Sequence, residues 1–347
     1  MKKLIINTAT DELFIVLQKD DGIFSASINA KMHHNETMLP AIDELLNKHG
    51  VGVNEIEELG VVIGPGSFTG IRVGISTVKA FRDALNIKAK GINCLQYLYI
   101  ASVTCNPEIE TVAIAGSRDS YFVAKLIHGE LYIYERNLTL NELKSVAGDK
   151  PIGMFKEDEN LNCFVVPQDE EVLASCLTQS EDESLVPVYY QLSQAEHERI
   201  KRKIIEIAWA NIGDLDEICE IEKSSIMVNT LTKEQLERYL IDENYHAFKA
   251  VVEGEIAGFI ALQLTDEVNV DSVAVKKEFR NMGIATKLLE ATEQYAKERK
   301  YRALSLEVGY KNITAFLLYE KFGFKQRRIR KNYYADGTDC IEMIKEI

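Results

Sequence analysis

A short segment in the last third of the chain has the composition of an anion-binding loop. It reads Arg280-Asn281-Met282-Gly283-Ile284-Ala285 and joins the strand-like run VDSVAV to a helix-like run. Gly283 and the small Ala285 allow backbone N–H groups at the helix start to approach a negative group closely, and the helix dipole adds partial positive charge there. Such a loop can hold a pyrophosphate, although an ordinary strand-to-helix turn that needs one glycine is the alternative.

A second motif, SLEVGYKNITAFLLYEKFGF at residues 305–324, follows at a suitable distance. Glu307 ends a predicted strand, and Asn312 opens the helix predicted over residues 312–321. Asn312, Ala315 and Tyr319 are spaced i, i+3 and i+7, so they share one helical face, which can look into the cleft with the anion loop. Structural roles are the alternatives: an edge-strand charge for Glu307, an N-cap for Asn312 and a core aromatic for Tyr319.

Together the two motifs resemble the GCN5-related N-acetyltransferase (GNAT) family, whose acetyl-CoA loop has the pattern Arg/Gln-x-x-Gly-x-Gly/Ala. The similarity is greater to the RimI group, which acetylates the N-terminal alanine of a ribosomal small-subunit protein. The residues that carry this resemblance are Leu306-Glu307-Val308, Asn312, Leu318-Tyr319-Glu320, Gly323-Phe324 and Arg330-Lys331-Asn332-Tyr333-Tyr334. The resemblance covers essentially all of residues 204–347 and implies a GNAT mixed-sheet acyltransferase domain.

The resemblance implies acetyl-CoA as the cofactor and gives the residues roles. The backbone of residues 273–275 would pair with the pantetheine arm and polarise the acetyl carbonyl, residues 281–286 would bind the pyrophosphate, and Asn312 would contact CoA. Glu307 would act as general base through water, and Tyr319 would protonate the departing thiolate. The implied cofactor-binding residues are Val273, Ala274, Val275, Arg280, Asn281, Met282, Gly283, Ile284, Ala285, Thr286 and Asn312.

Two departures from the RimI pattern bear on the choice of substrate. Gly309 stands where the group usually has arginine, and Lys311 stands where it often has serine. Acetylation of a lysine or a small amine is therefore the alternative to acetylation of a ribosomal protein N-terminus. A basic run comprises Lys325, Arg327, Arg328, Arg330 and Lys331. Its alternation along a predicted strand favours a solvated face over binding of rRNA or a CoA phosphate.

A glycine-rich loop, GPGSFTG at residues 64–70, marks the first half of the chain. Its three glycines permit close backbone approach, and Ser67 or Thr69 can cap the helix that follows. A phosphate cradle is one interpretation, but the loop lacks the lysine of a Walker motif, so a nucleotide site is weakly indicated.

Four segments of residues 1 to about 200 resemble the TsaB family: INTAT at 6–10, HHNETMLPAI at 33–42, GPGSFTGIRVG at 64–74 and PVYYQLSQAE at 187–196. The resemblance implies an actin/Hsp70-like (ribonuclease-H-like, duplicated) fold. It also implies a role as the partner of the catalytic subunit TsaD, with TsaE joining, in forming threonylcarbamoyladenosine in tRNA. A degenerate interaction module without a tRNA role is the alternative.

Two further positions favour a scaffold over an ATPase in this half. Asn7 stands where the TsaB family commonly has aspartate, and Ala115-Gly116-Ser117-Arg118 stands where Asp-Ala-Arg is usual. Both changes remove a carboxylate that could hold Mg²⁺ near a nucleotide. The helix predicted over residues 36–48 carries Met38, Ile42 and Leu45 on one face, which contacts either TsaD or the domain's own core.

The elements that must position these residues form two domains. We predict a scaffold domain over 1–203, with a break between two subdomains near 106–111, and an acetyltransferase domain over 204–347. In the first domain, the order strand-strand-strand-helix-strand-helix begins again near residue 111, which indicates an internal duplication. Residues 137–186 are acidic and irregular, and the patches KEDEN and QSEDES within them look like solvated loops.

Composition excludes several classes of protein. The 347 residues carry a net charge of −14, so neither a basic nucleic-acid clamp nor strong direct binding of nucleic acid is expected. No stretch approaches the roughly 18 apolar residues of a membrane span, and the first residues do not form a signal peptide. The six cysteines are scattered without metal-ligand spacing, so no metal site is expected. We therefore expect a cytoplasmic protein, and the two resemblances imply a fusion whose two parts both serve translation.

Overall fold

The computed structural model describes residues 1–29, 34–116, 119–188, 204–226, 230–334 and 337–347. The chain divides into two compact units, Met1–Leu192 and Ser193–Ile347. The boundary predicted between residues 203 and 204 lies at the end of the undescribed segment 189–203, so its position stays a prediction. Most of the PVYYQLSQAE motif also lies outside the described residues.

The first half of unit 1 is a five-stranded sheet with the strand order β3-β2-β1-β4-β5. β1, β2 and β3 form an antiparallel meander, whereas β4 and β5 run parallel to β1. The strands are β1 (Lys3–Asn7), β2 (Glu12–Lys19), β3 (Gly22–Asn29), β4 (Glu58–Gly64) and β5 (Lys88–Asn93). The accompanying helices are α1 (His34–Lys48), α2 (Phe68–Leu85) and α3 (Cys94–Cys105).

The second half of unit 1 repeats this strand order from Thr111 onward. Its main path is β11-β10-β6-β7-β8, in which β6, β7 and β8 form the meander and β10 and β11 run parallel to β6. The strands are β6 (Thr111–Ala115), β7 (Ser120–Ile127), β8 (Glu130–Ile133), β9 (Leu138–Thr139), β10 (Ile152–Met154) and β11 (Cys163–Val165). The repeated order confirms the duplication and the actin/Hsp70-like fold that the resemblance implies.

The segment 137–186 is more regular than its acidic, irregular sequence indicates, although the predicted loops KEDEN (156–160) and most of QSEDES (179–184) do lie outside helices and strands. It contains β9, β10, β11 and the helices α4 (Leu140–Ala147) and α5 (Glu170–Gln179). Their apolar residues are few and are separated by acidic turns, so the short periodic stretches are hard to recognise. Leu143, Leu173 and Leu177 are nevertheless completely buried.

Unit 2 is one seven-stranded mixed sheet with the order β12-β13-β14-β15-β16-β18-β17. Its strands are β12 (Ile205–Trp209), β13 (Tyr245–Val252), β14 (Glu255–Leu264), β15 (Val268–Val275), β16 (Ala303–Gly309), β17 (Lys325–Arg330) and β18 (Cys340–Glu346). Its helices are α6 (Leu215–Ser225), α7 (Lys233–Ile241), α8 (Ile284–Glu298) and α9 (Ile313–Phe322). The hydrophobic patterns of the sequence predict strands over 255–264 and 268–275 and helices over 285–299 and 312–321, and these bounds agree with the structure to within about two residues.

Alternating residues of the central strand β14 pack against helices on the two faces of this sheet. Phe259 and Ala261 pack with residues of α6 and α7, whereas Ile260 and Leu262 pack with residues of α8. Glu253-Gly254, a dipeptide that the sequence favours as a two-residue hairpin turn, joins β13 to β14, and both residues have positive φ. In the described part of the chain, no helix has the length and apolar character needed to cross a bilayer.

The two parallel strands at the centre of unit 2 separate part of the way along their length. β15 and β16 are paired only from Val268–Leu304 to Val270–Leu306. At the same point the pairing of β15 with β14 has a bulge, in which Asp271 is the extra residue. A bulge increases local twist, so the remaining lengths of β15 and β16 diverge and leave a gap between them.

In unit 1, the glycine-rich loop packs against the turn that follows β1. A Cβ on Gly66 would overlap the Ala9 carbonyl oxygen, and a Cβ on Gly70 would overlap that of Thr8. The Ser67 N–H also donates to the Ala9 carbonyl oxygen at 2.7 Å, and Ser67 caps α2 as predicted. These glycines are therefore explained by close packing within unit 1.

We predict that Gly70→Ala destabilises unit 1. Alanine normally stabilises a helix by about 1 kcal/mol over glycine, but the overlap with the Thr8 carbonyl reverses the sign and should cost about 2 kcal/mol. Urea unfolding followed by far-ultraviolet circular dichroism measures the change. Gly52→Ala is the control, since its φ is −80° and its Cβ would meet only the Glu55 side chain at 3.5 Å. Equal stability of the two variants would contradict the packing argument.

Candidate functional site

The gap between β15 and β16 exposes one edge of β15. Lys276 donates its N–H to the Ala257 carbonyl oxygen of β14 at 2.9 Å, so the backbone groups of Ala274 also face β14. Those of Val273 and Val275 face the gap. The Val275 carbonyl oxygen accepts hydrogen bonds from Ser225 Oγ at 3.2 Å and Arg280 Nε at 3.3 Å. An extended ligand can therefore pair with Val273 and with the Val275 N–H, but not with Ala274.

The N-terminus of α8 lies directly after this strand and is open. Gly283 is the N-cap, with φ +81° and no side-chain cap, and nothing lies within 4 Å of the place where its Cβ would stand. The first intrahelical acceptor is the Gly283 carbonyl oxygen, which accepts from Lys287, so the earlier N–H groups of the turn point outward. Asn281 also has a positive φ of 62°. This turn fits the predicted pyrophosphate-binding loop.

Glu307 lies where β16 has left β15, and it is held by residues from the C-terminal strands. Its Oε1 is 2.7 Å from Arg330 Nη1. The hydrogen bond to Glu307 is the main cause that raises the pKa of Tyr333. The carboxylate is partly exposed, so it is accessible from the gap.

The predicted basic run converges on one buried carboxylate, Glu342, the cross-strand neighbour of Glu307. Glu342 is 7% exposed and accepts hydrogen bonds from Arg328 at 2.6 Å, Arg330 at 2.9 Å and Arg327 at 3.3 Å. A bulge between Gln326 and Arg328 lets two adjacent arginines reach the same carboxylate. The run is thus largely satisfied within the sheet, and Arg330 links Glu342 to Glu307.

Asn312, which precedes α9, and Tyr319, which lies within it, have different surroundings in the structure. Asn312 caps α9, because its Oδ1 accepts from the Ala315 N–H at 3.3 Å, so its structural alternative is realised. Tyr319 is buried among the apolar residues between the sheet and the helices, with its ring 5.9 Å from that of Phe324. Burial raises the pKa of Tyr319 to about 12. Contact of either residue with CoA stays a prediction.

The sequence analysis missed a polar group beside the gap, centred on Asp271. Its carboxylate accepts hydrogen bonds from the Tyr239 hydroxyl and the Asn269 amide. Burial raises the pKa of Asp271, and the charge of Glu307 raises it further, which together outweigh the lowering by these hydrogen bonds. An acidic residue inside the otherwise apolar strand VNVDSVAV is the signal that could have identified it.

In unit 1, Asn7 is completely buried, and its side chain is hydrogen-bonded to other residues of the same unit. Its Nδ2 donates to Gln168 Oε1 at 3.1 Å, and its Oδ1 accepts from the Ala9 N–H at 3.0 Å. The Tyr97 hydroxyl donates to the same Gln168 oxygen at 3.0 Å. Asn7 therefore has a structural role. Ser117 and Arg118 of the other predicted position lie outside the described residues.

The stripe of Met38, Ile42 and Leu45 faces the domain's own core. These side chains are 1%, 3% and 3% exposed and pack with β1 and β2 residues. Of the two predicted alternatives, contact with the core is the one realised, and these residues cannot contact TsaD while unit 1 stays folded. Leu39, on the outer face of α1, is 53% exposed.

Comparison with known families separates the two units. The sequence model of the acetyltransferase (GNAT) domain matches residues 215–347. The sequence model of TsaD, the tRNA N6-adenosine threonylcarbamoyltransferase, matches residues 23–139. The YeaZ structure from Pseudomonas aeruginosa is 22% identical, spans 54% of this chain and 99% of its own, and has a TM-score of 0.43.

Three relatives bear on the acetyltransferase match. A Bacillus subtilis protein described as a candidate ribosomal protein bS18-alanine N-acetyltransferase is 37% identical over 136 residues, which span 38% of this chain and 89% of its own. An N-alpha-acetyltransferase from Saccharolobus solfataricus is 32% identical over 168 residues, 43% of this chain and 98% of its own. An uncharacterised Mycobacterium leprae protein is 25% identical over 99% of this chain and 98% of its own. The last relative has both units in one chain.

We predict that Glu342→Gln destabilises unit 2 by about 1–2 kcal/mol at pH 7, since three partly exposed arginines lose their charged partner. Burial alone would raise the pKa of Glu342, but the hydrogen bonds from Arg328, Arg327 and Arg330 outweigh burial and lower it. A folded-state pKa below the unfolded one gives stability that is present above the unfolded value and is lost as pH falls through the folded value. The difference between wild type and variant should therefore shrink towards pH 4.

Urea unfolding followed by the fluorescence of Trp209, the single tryptophan, measures this difference in unit 2. Glu346→Gln on the same strand is the control, because Glu346 is exposed. A destabilisation by Glu342→Gln that does not change between pH 7 and pH 4 would contradict the ionic origin of the effect.

Proposed function

Since the chain belongs to the GNAT family of acetyltransferases, we propose that unit 2 transfers the acetyl group of acetyl-CoA to the N-terminal α-amine of a protein. The substrate we propose is the N-terminal alanine of a ribosomal small-subunit protein, in the cytoplasm. The Bacillus subtilis and Saccharolobus solfataricus relatives, named for acetylation of a ribosomal protein alanine and of α-amines, support this choice.

The observation that carries the proposal is the divergence of β15 from β16 beside an open helix N-terminus. The gap-facing backbone of Val273 and Val275 suits the amide groups of a pantetheine arm, and the uncapped turn at Gly283 suits a pyrophosphate. The residues present therefore fit acetyl-CoA, which supplies an activated acetyl thioester when bound. Residues 281–286 would hold its pyrophosphate, and Asn312 would contact it from the start of α9.

Glu307 is the residue we assign to proton removal, acting through water from the mouth of the gap. An α-amine has an ordinary pKa of about 7.7–8.0, so only modest help is needed near neutral pH. Tyr319 would protonate the departing thiolate. Because its pKa is raised to about 12, Tyr319 is a weaker acid than the thiol, and its fixed position would have to drive that step.

Gly309 and Lys311 bear on the choice between a peptide and a lysine or small amine. A Cβ on Gly309 would lie 3.6 Å from the Tyr334 ring, so the larger side chain usual in the RimI group would cover that ring. The glycine leaves the ring available as a wall for the second residue of a peptide. Transfer to lysine or to a small amine is the other outcome that the test below separates.

We predict that the purified chain acetylates a peptide that begins with alanine and does not acetylate an N-blocked version that carries lysine. Glu307→Gln should lower kcat/KM for the alanine peptide by about 100-fold, the usual contribution of a general base. Mass spectrometry of the peptides measures transfer, and Glu290→Gln on the exposed face of α8 is the charge-matched control. Transfer to lysine, or to neither peptide, would refute the proposed substrate.

For unit 1 we propose a non-catalytic role as a scaffold that binds TsaD, with TsaE joining, in the formation of threonylcarbamoyladenosine in tRNA. The match to the TsaD sequence model supports the relationship. The structural role of Asn7 and the packing role of the loop glycines support a unit without nucleotide chemistry.

We predict that the full chain forms a complex with purified TsaD that survives gel filtration. Leu39→Asp should weaken this complex at least tenfold if α1 carries the contact, because Leu39 is the exposed apolar residue on that helix. Val165→Asp is the control, since Val165 is 48% exposed on β11 of the same unit. Binding of neither TsaD nor TsaE would refute the scaffold role.

A further inference from the structure

We propose that Asp271 is the residue that binds the protonated α-amine of the substrate and accepts its first proton. This role rests on the N-acetyltransferase function proposed above. It names a second carboxylate beside the gap, distinct from Glu307, and it makes the charge of the substrate amine a determinant of recognition.

Asp271 and Glu307 lie on the same face of the sheet at the point where the strands part. Asn269 and Ser305 are paired across β15 and β16, with 3.3 Å between Ser305 Oγ and Asn269 Oδ1. Asp271 and Glu307 each follow two residues later on their strands. The residues between, Val270 and Leu306, point to the other face and are buried in the apolar core. An amine that enters the gap from this face meets both carboxylates.

The two carboxylates differ in what compensates their charge. Glu307 forms an ion pair with Arg330 at 2.7 Å. Asp271 is held by two neutral donors, the Tyr239 hydroxyl and the Asn269 amide, and no salt bridge to it occurs within the described residues. Asp271 is therefore the carboxylate that gains most from a cationic ligand, and an α-ammonium group is the cation that the proposed reaction supplies.

The groups packed around Asp271 keep it available as a proton acceptor. Tyr239 of α7 donates to it, and the Tyr245 ring of β13 packs edge-on against Tyr239 at 5.1 Å. Glu222 of α6 acts on Tyr239, while Glu307 of β16 acts on Asp271 directly. The cation of this region, Arg330 of β17, is occupied by Glu307 and Glu342. These surroundings raise the pKa of Asp271 and make it more basic than a free carboxylate.

The reaction then balances as follows. The substrate ammonium gives one proton to Asp271, and the freed nitrogen lone pair forms the N–C bond to the acetyl carbonyl carbon. The nitrogen gives its second proton to water held by Glu307, and the C–S bond breaks as the electron pair leaves with sulfur. Sulfur receives a proton from Tyr319, the proton taken up at Glu307 passes through water to restore Tyr319, and the proton on Asp271 returns to solvent. One ammonium and one thioester give one amide, one thiol and one proton.

The test is the pH profile of kcat/KM for a peptide that begins with alanine, from pH 6 to 9. With an amine pKa of about 7.8, about 5% of the peptide carries a free amine at pH 6.5 and about 80% at pH 8.5. The wild-type chain uses the ammonium form, which falls from about 95% to about 20% of the peptide over this range, so its kcat/KM should be about fivefold higher at pH 6.5 than at pH 8.5. The Asp271→Asn variant cannot take the proton from the ammonium group and reacts only with the free amine. Its kcat/KM should therefore be about 15-fold lower at pH 6.5 than at pH 8.5.

Two further variants keep the test independent of folding defects. Asp266→Asn makes the same charge change at an exposed position before β15 and should keep the wild-type profile. Tyr239→Phe leaves the carboxylate but removes a hydrogen bond that lowers its pKa, so the acidic limb of the profile should move to higher pH. Glu307→Gln should lower kcat/KM at every pH, and because it removes the charge that raises the pKa of Asp271, the acidic limb should move to lower pH.

A binding measurement without acetyl transfer completes the design. At pH 6.5, fluorescence anisotropy should show that the wild-type chain binds the alanine peptide at least tenfold more tightly than an analogue with a hydroxyl group in place of the amine. Asp271→Asn should lose this preference. A wild-type pH profile in Asp271→Asn, or an unchanged preference for the amine, would refute the role of Asp271 but not the proposed function. A wild-type chain that acetylates no α-amine would refute the proposed function itself.

Discussion

The separation of β15 from β16 is the constraint on which the rest of unit 2 depends. The strands are paired for three residues and then diverge at the bulge of Asp271. If the pairing continued, the backbone N–H and carbonyl groups of Val273 would be hydrogen-bonded to β16, and no extended ligand could bind there. The same divergence brings Glu307 to the edge of a cleft and leaves the N-terminus of α8 open behind it. One irregularity in a regular sheet thus exposes a strand edge close to Glu307 and to the open N-terminus of α8.

The residues around the gap must keep it open. The strands β17 and β18, which lie beyond β16, contribute to this through charged side chains. Glu307 and Glu342 are cross-strand neighbours of like charge, an arrangement that is unfavourable by itself. Arg330 bridges both carboxylates, and Arg327 extends the cluster to Glu267 at 2.7 Å, at the start of β15. The arginines therefore tie β17 and β18 to the beginning of β15, while its end stays free to bind a ligand.

Local sequence predicts the elements of unit 2 closely but not their long-range partners. The amphipathic pattern predicts a helix at 285–299, and α8 spans Ile284–Glu298, because periodic burial and the glycine before it act within the segment itself. The hydrogen bond between Tyr239 and Asp271 joins residues 32 positions apart, and the ion pair of Glu307 comes from β17. Such contacts depend on strand order and register, which composition and spacing do not specify. An apolar stripe such as that of Met38 likewise shows that a helix has a buried face without showing what covers it.

In unit 1, the glycines of the strand-to-helix loop have two possible physical explanations, and the structure decides between them. Glycines in a strand-to-helix loop are required for a phosphate cradle, but they are equally required where two backbones touch, as Gly66 and Gly70 do with Ala9 and Thr8. Asn7 follows the same logic. A carboxylate at a completely buried position would need a cation or several donors, whereas the amide is satisfied by one donor and one acceptor already present, Ala9 N–H and Gln168 Oε1. An amide at this position makes the turn stable without a ligand, which agrees with the non-catalytic role proposed for unit 1.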